Sequence, residues 1–204
     1  MKTHDLSNYK NVAVIVAHPD DETLWAGGII LMNPEINWTI LTLCRLSDPD
    51  RSPKFRNAMR ALSAKGIMGD LDDGPEQMPL DPQELRTAII ELLPCGNFDL
   101  IITHNPSGEY TRHRRHEETG QAITDLWKHE KLFAKQIWRF AYEDGGGSYL
   151  PKAVKDADIK IELPSRFWKE KYEIITKIYG FDKRSFEART TPKKEAFWCI
   201  NSNL

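Results

Sequence analysis

The chain has 204 residues, which at roughly 150 residues per domain points to one domain over 1–204 with enough material for a full core. Lys and Arg total 28 against 30 Asp and Glu, a formal charge of −2, so neither a basic nucleic-acid surface nor an acidic tail is indicated. Hydrophobic residues at 40% and charged residues at 28% exclude a disordered chain, and apolar runs such as Val12 to Ala17 fall far short of the ~20 residues of a membrane span.

Strand and helix patterns then take turns along the chain. Asn11 to Ala17 (NVAVIVA) is a β-branched run that predicts a buried strand, and Glu22 to Met32 a helix entered through acidic residues. Asn37 to Cys44 is the second strand. Ser52-Pro53 offers an N-cap and a proline at the first helical position, with Gly66 closing that helix. A weak third strand covers Ile67 to Leu71. Asp81-Pro82-Gln83-Glu84 resembles a capping box that opens a helix to about Leu93, and Phe98 to His104 is a strong fourth strand. After a polar loop from Asn105 to Arg115, the pattern predicts a helix over His116 to Lys131 and a strand over Gln136 to Tyr142. Gly145-Gly146-Gly147 is a turn, followed by a strand at Asp158 to Leu163 and a helix capped by Ser165. Such alternation implies an α/β fold, a Rossmann-like three-layer sandwich with a mostly parallel sheet and helices on both faces, since parallel neighbours need crossover connections.

Met1 to Lys10 is polar and holds no secretory apolar segment. Cys44, Cys95 and Cys199 are odd in number and form no C-x-x-C pair, which argues against a disulfide framework and a cysteine-zinc module. A reducing cytoplasm is the expected setting.

Two clusters carry chemistry. Ala17-His18-Pro19-Asp20-Asp21-Glu22 follows the first strand, where a dinucleotide-binding protein would have its glycine-rich turn. Three carboxylates repel a phosphate and, with a neutral imidazole, attract a cation. Against this stands the plain account that the acidic residues only complement a helix start, although His18 gains nothing from that. The second cluster, His113-Arg114-Arg115-His116, follows the fourth strand and is preceded by Gly108-Glu109-Tyr110. Histidines three apart can face one side of a helical turn, yet a lone H-x-x-H is more often solvated. In the doubly wound order the first and fourth strands are neighbours and ligands bind at their carboxyl ends, so the two clusters are expected to meet.

The Ala17–Glu22 hexapeptide followed by Gly27-Gly28 resembles the first motif of the PIG-L/LmbE-like N-acetylglucosaminyl deacetylases, zinc hydrolases of Rossmann-like fold. Gly108-Glu109-Tyr110 with His113-x-x-His116 is similar to the second motif, and Asp72-Asp73-Gly74 to a weaker middle one. The similarity runs from Asn11 to about Lys131 and is loose over the last seventy residues. It implies His18, Asp21 and His116 as ligands of a zinc ion (Zn2+), Asp20 as general base and His113 as the group that polarises the scissile carbonyl. It further implies that Asp73 orients His113. Two departures stand out: Tyr110-Thr111-Arg112-His113 has one residue more than the family's Tyr-Gly-His, and Lys54 and Asn57 stand near places usually held by arginine and glutamate.

The implied activity is removal of an acyl (acetyl) group from the amide nitrogen of an N-acetylated amino sugar or glycoconjugate, a small-molecule substrate, with no nucleic acid partner; a homo-oligomer is left open. The alternatives are a metal-holding sugar-binding module without catalysis and a nucleotide-binding protein, the latter lacking its glycine fingerprint. Arg112, Arg114 and Arg115 are expected to be solvated loop charges, the other reading being contact with an anionic substrate. His104 is expected to be structural, Trp25 to be packing and Glu22 to bond backbone N–H groups.

Overall fold

The computed structural model describes residue 6 and residues 8–93, 97–110 and 113–201. Of the residues singled out above, Cys95, Thr111 and Arg112 lie outside the described residues. The elements run β1 (Asn11–Val16), α1 (Asp21–Met32), β2 (Asn37–Cys44), α2 (Arg51–Ala61), β3 (Lys65–Leu71), α3 (Pro82–Leu92), β4 (Phe98–Thr103), α4 (Arg114–Lys128) and β5 (Ala134–Phe140). The remainder comprises β6 (Tyr142–Glu143), β7 (Lys152–Ala153), β8 (Ile159–Glu162), α5 (Ser165–Glu173) with a π-helical turn at Ile174–Ile178, α6 (Phe186–Thr190) and β9 (Lys194–Asn201).

The main sheet has the order β3-β2-β1-β4-β5-β9-β8. Its first five strands pair in parallel, whereas β9 runs antiparallel to both β5 and β8. Side chains of β1 alternate between two cores, as the two-residue period of a strand requires. Val12, Val14 and Val16 face the core shared with α1, α2 and the π-helical turn, and Ala13 and Ile15 face the one shared with α3 and α4. Both faces of the sheet are thus covered, which is the expected three-layer arrangement. Among the described residues no helix is long and apolar enough to cross a membrane.

Local chemistry explains most element ends. Asp81 accepts hydrogen bonds from the Gln83 and Glu84 N–H groups at 2.8 and 2.9 Å, with Pro82 in the first turn, a cap worth about 1 kcal/mol. The entry to α2 differs from the sequence expectation. Ser52 lies inside the first turn, and Asp48 instead accepts the Asp50 and Arg51 N–H groups at 2.9 Å each. Gly66 does not close this helix but lies in β3, where a Cβ would fall 2.5 Å from Met59 Cγ. α4 likewise begins at Arg114 rather than His116.

The β6–β7 pair, α6, the π-helical turn and β9 of the last third were not anticipated. β9 contributes Glu195, fully buried, whose carboxylate accepts the Gly28 and Ile29 N–H groups of α1 at 2.7 Å each and the Lys171 ammonium at 2.6 Å. A buried carboxylate needs such partners. Gly28 is required here, because a Cβ would lie 2.4 Å from the Leu163 methyls and 2.9 Å from Glu195 Oε1. The chain's C-terminal third therefore grips the helix that starts at the first motif.

Candidate metal centre

The parallel register sets the carboxyl ends of β1 and β4 side by side. Ile15 pairs with Thr103, and Thr103 Oγ1 donates to the Ile15 carbonyl at 2.8 Å. One residue further, the Ala17 N–H donates to His104 Nε2 at 3.1 Å. The loops after β1, β2, β3 and β4 surround a cleft of about 800 Å³, in the range of small-molecule sites.

At its floor, His18 Nδ1, Asp21 Oδ2 and His116 Nε2 form a triangle with edges of 3.2, 3.3 and 3.3 Å. Donors in tetrahedral array at about 2.0–2.1 Å from one ion are separated by about 3.3–3.4 Å, so this set fits a divalent first-row metal. Each donor is also held from behind. His18 Nε2 meets Asp73 Oδ1 at 3.1 Å, Trp25 Nε1–H donates to Asp21 Oδ1 at 3.3 Å, and His116 Nδ1 meets Glu109 Oε2 at 2.8 Å. With those outer atoms engaged, both imidazoles turn a lone pair inward, the arrangement that fixes tautomer and ring orientation in metal sites.

Other histidines come within reach. The donors of His18, His113 and His116 lie within 4.8 Å of one another, as do those of Asp21, His104 and His116. His104 is disqualified by its bonds: Nδ1 meets Glu109 Oε2 at 3.0 Å, and Nε2 is occupied by the Ala17 N–H. Burial disfavours a charged His104 ring and the Glu109 and Asp21 carboxylates favour one, but the accepting Nε2 decides for the neutral form. It is the structural histidine expected. His113 Nδ1 is buried with no hydrogen-bond partner among the described residues. Burial, then His116 and His18, lowers its pKa to about 3, so this ring is neutral near pH 7.

Asp20 sits at the N-cap of α1, yet its side chain makes no cap bond there, so helix capping does not explain it. Its backbone has φ 119° and ψ −31°, a conformation costing an L residue on the order of 1–3 kcal/mol and concentrated at functional sites. Burial and then Asp21 raise its carboxyl well above the ordinary range, opposed by Arg51, whose guanidinium lies 3.9 Å away.

The remaining sequence candidates are placed as follows. Asp73 touches His18, not His113, because the loop after β3 reaches the near side of the triangle; the orienting contact goes to a different histidine than expected. Arg45, at the end of β2, holds Asp73 Oδ2 through Nε at 2.8 Å. Tyr110 lines the cleft against Trp25, His116 and Phe186, and burial keeps its phenol protonated. Arg115 is neither solvated nor a substrate contact. It is 1% exposed and donates to the Asp72 and Met78 carbonyls and to Glu118, clamping the loop that carries Asp73. Arg114 lines the cleft. Sequence reasoning gave Glu109 no role although it lay inside the quoted motif, and Arg45 could have been noticed as the first residue beyond a strand's carboxyl end. Phe186 and Glu187, which also line the cleft, carried no signal.

Glu109 gives the site an acid limit. Burial alone would raise its carboxyl, but the Nδ1–H groups it accepts, from His104 foremost and from His116, bring it below its ordinary 4.5. A carboxyl lowered in the fold lends stability that is complete above its unfolded value and lost as pH falls toward the folded one. Melting of the metal-free protein should therefore drop steeply below about pH 4.5, and Glu109→Gln should flatten that drop in a thermal scan series; an unchanged slope would remove Glu109 from the acid response.

A family model described as PIG-L, GlcNAc-PI de-N-acetylase, matches residues 13–127. The chain is 28% identical over 138 residues to "Probable N-acetyl-alpha-D-glucosaminyl L-malate deacetylase 2" of Bacillus anthracis, an alignment covering 59% of this chain and 60% of the relative. The chain spans 56% and 60% of the length of two curated relatives it matches. The N,N'-diacetylchitobiose deacetylase of Pyrococcus horikoshii superposes with a TM-score of 0.67 at 16% identity, over 97% of this chain and 88% of that one. GalB of Pseudomonas putida KT2440, a 4-carboxy-2-hydroxymuconate hydratase, does so with 0.65 at 14% identity, over 96% and 98%. At such identities the likeness is one of fold, and the fold serves more than one chemistry.

Proposed function

Because the chain belongs to the PIG-L family, we propose that it hydrolyses the acyl amide of an N-acetylated amino sugar or glycoconjugate, releasing acetate and a free amine. The observation that carries this reading is the triangle of His18, Asp21 and His116 donors, each held from behind, with the carboxylate of Asp20, which makes no helix-cap bond, lining the same cleft. Two imidazoles and one carboxylate suit catalytic zinc, which when bound lowers the pKa of a water to about 7 and polarises a carbonyl.

The chain's own residues divide the remaining work. Asp20, raised by burial toward the working pH, takes the proton of the attacking water and returns it to the departing amine nitrogen. Neutral His113 offers an N–H to the carbonyl oxygen as it gains charge, worth ~3 kcal/mol for a well-placed donor. Asp73, Trp25 and Glu109 fix the orientation of the three ligands.

Arg51 and Arg114 line the same cleft, and the B. anthracis relative is named for a malate glycoside, so N-acetylglucosaminyl malate is the first substrate to try, beside N-acetylglucosamine and N,N'-diacetylchitobiose. The zinc-loaded protein should release acetate and primary amine in equal amounts from at least one of them, stop on chelation and resume when zinc is restored. Absence of acetate from every N-acetylated sugar tried would contradict the proposal.

A further inference from the structure

The strained backbone of Asp20 persists only if its surroundings hold it. Its carbonyl accepts the Leu24 N–H at 2.7 Å, an ordinary first-turn bond, while its N–H donates to Glu22 Oε2 at 3.0 Å. The second bond depends on where the Glu22 carboxylate is anchored. Glu22 is fully buried, and its other oxygen accepts the Thr23 hydroxyl at 2.6 Å and the Tyr179 hydroxyl at 2.7 Å. Thr23 adjoins Glu22 and moves with it. Tyr179 is the long-range anchor, 157 residues away.

Tyr179 follows directly on the π-helical turn Ile174–Ile178 and is 2% exposed, its N–H bonded to the Ile174 carbonyl at 2.9 Å. An extra residue in a helical turn re-aims the side chain that follows, and such turns recur at functional sites. The packing asks only for a ring at this place, so phenylalanine would fill the core equally. The hydroxyl finds its one described partner in Glu22.

We infer that Tyr179 is a positioning residue for the hydrolysis proposed above: through Glu22 it holds the Asp20 peptide in the conformation that presents the Asp20 carboxylate to the cleft beside the metal donors. The inference rests on that reading for its consequence, though its geometric half stands alone. It also gives the C-terminal segment, outside the matched residues 13–127, a part in the site.

The test compares the zinc-loaded protein with Tyr179→Phe by residue-resolved amide exchange and by steady-state kinetics. The Asp20 amide should exchange at least about tenfold faster while the β1 amides Val12 to Val16 keep their protection, and kcat should fall about tenfold or more with KM and bound metal within about twofold. Adding Tyr179→Phe to Glu22→Gln should lower kcat no further, since both act on one link. If Tyr179→Phe does not fold, Glu22→Gln alone must produce the same exchange and kcat signature. Unchanged Asp20 protection, or a loss shared equally by the β1 amides, overturns the inference. A parent protein that hydrolyses no amide defeats the functional reading instead, and the exchange result still decides whether Tyr179 holds Asp20.

Discussion

Asp20→Asn should lower kcat by on the order of 10²–10⁴ while the protein still binds one metal ion and keeps its melting temperature. Asparagine matches aspartate in size but cannot accept a proton, so the change removes the base without emptying the turn. Asp21→Asn, one residue along, should behave in the opposite sense and weaken metal binding first, because Asp21 Oδ2 is a corner of the donor triangle. The two adjacent carboxylates are distinguished by environment. Asp21 is drawn well below the ordinary carboxylate range against its burial, foremost by His116, and Asp20 is raised by burial and by Asp21. Groups pushed apart in this way take different roles at one site. Activity of Asp20→Asn within tenfold of the parent would assign the base elsewhere.

His116→Ala should weaken metal binding by more than the 10–100-fold that losing a supporting partner costs. It removes a donor and also leaves Glu109 Oε2 with His104 as its one remaining imidazole partner. Asp73→Asn and Glu109→Gln should fall within the 10–100-fold range, since they act on the backs of His18 and His116. His113→Ala should keep the metal and lose turnover. That contrast separates the triangle of His18, Asp21 and His116 from a site built from His18, His113 and His116, which would lose metal in both alanine variants. Competition against a chromophoric chelator measures all four.

Much of the frame was legible because it follows from short-range pattern. NVAVIV, NWTILTLC and FDLIIT are β-branched and apolar runs that can only be buried strands of a covered sheet. Their placement, with β1 beside β4, follows from the doubly wound order, and it brought His18 and His116 together from 98 residues apart. What escaped depended on long-range pairing. β9 reads KEAFWCIN, and its opening charges resemble a tail until Glu195 is seen to bond α1 and Lys171. Arg115 looked like a loop charge in a basic tetrapeptide, and only the folded loop after β3 supplies the carbonyls that bury it. Asp73 could be assigned to the site from its motif, but which histidine it meets is decided by the approach of that loop, which no spacing records. Residues 186 and 187 reach the cleft from a five-residue helix with no periodicity to reveal it.

The central claim is joint grip of one ion by side chains from the β1 and β4 loops. X-ray absorption at the metal edge, on protein purified without chelators and loaded with one equivalent of zinc, tests it most directly. Full occupancy by one ion per chain is expected, with two imidazole nitrogens and a carboxylate oxygen at about 2.0–2.1 Å, and loss of one imidazole from the spectrum of His116→Ala. A shell of three imidazoles without carboxylate, or a spectrum that His116→Ala leaves unaltered, would contradict it.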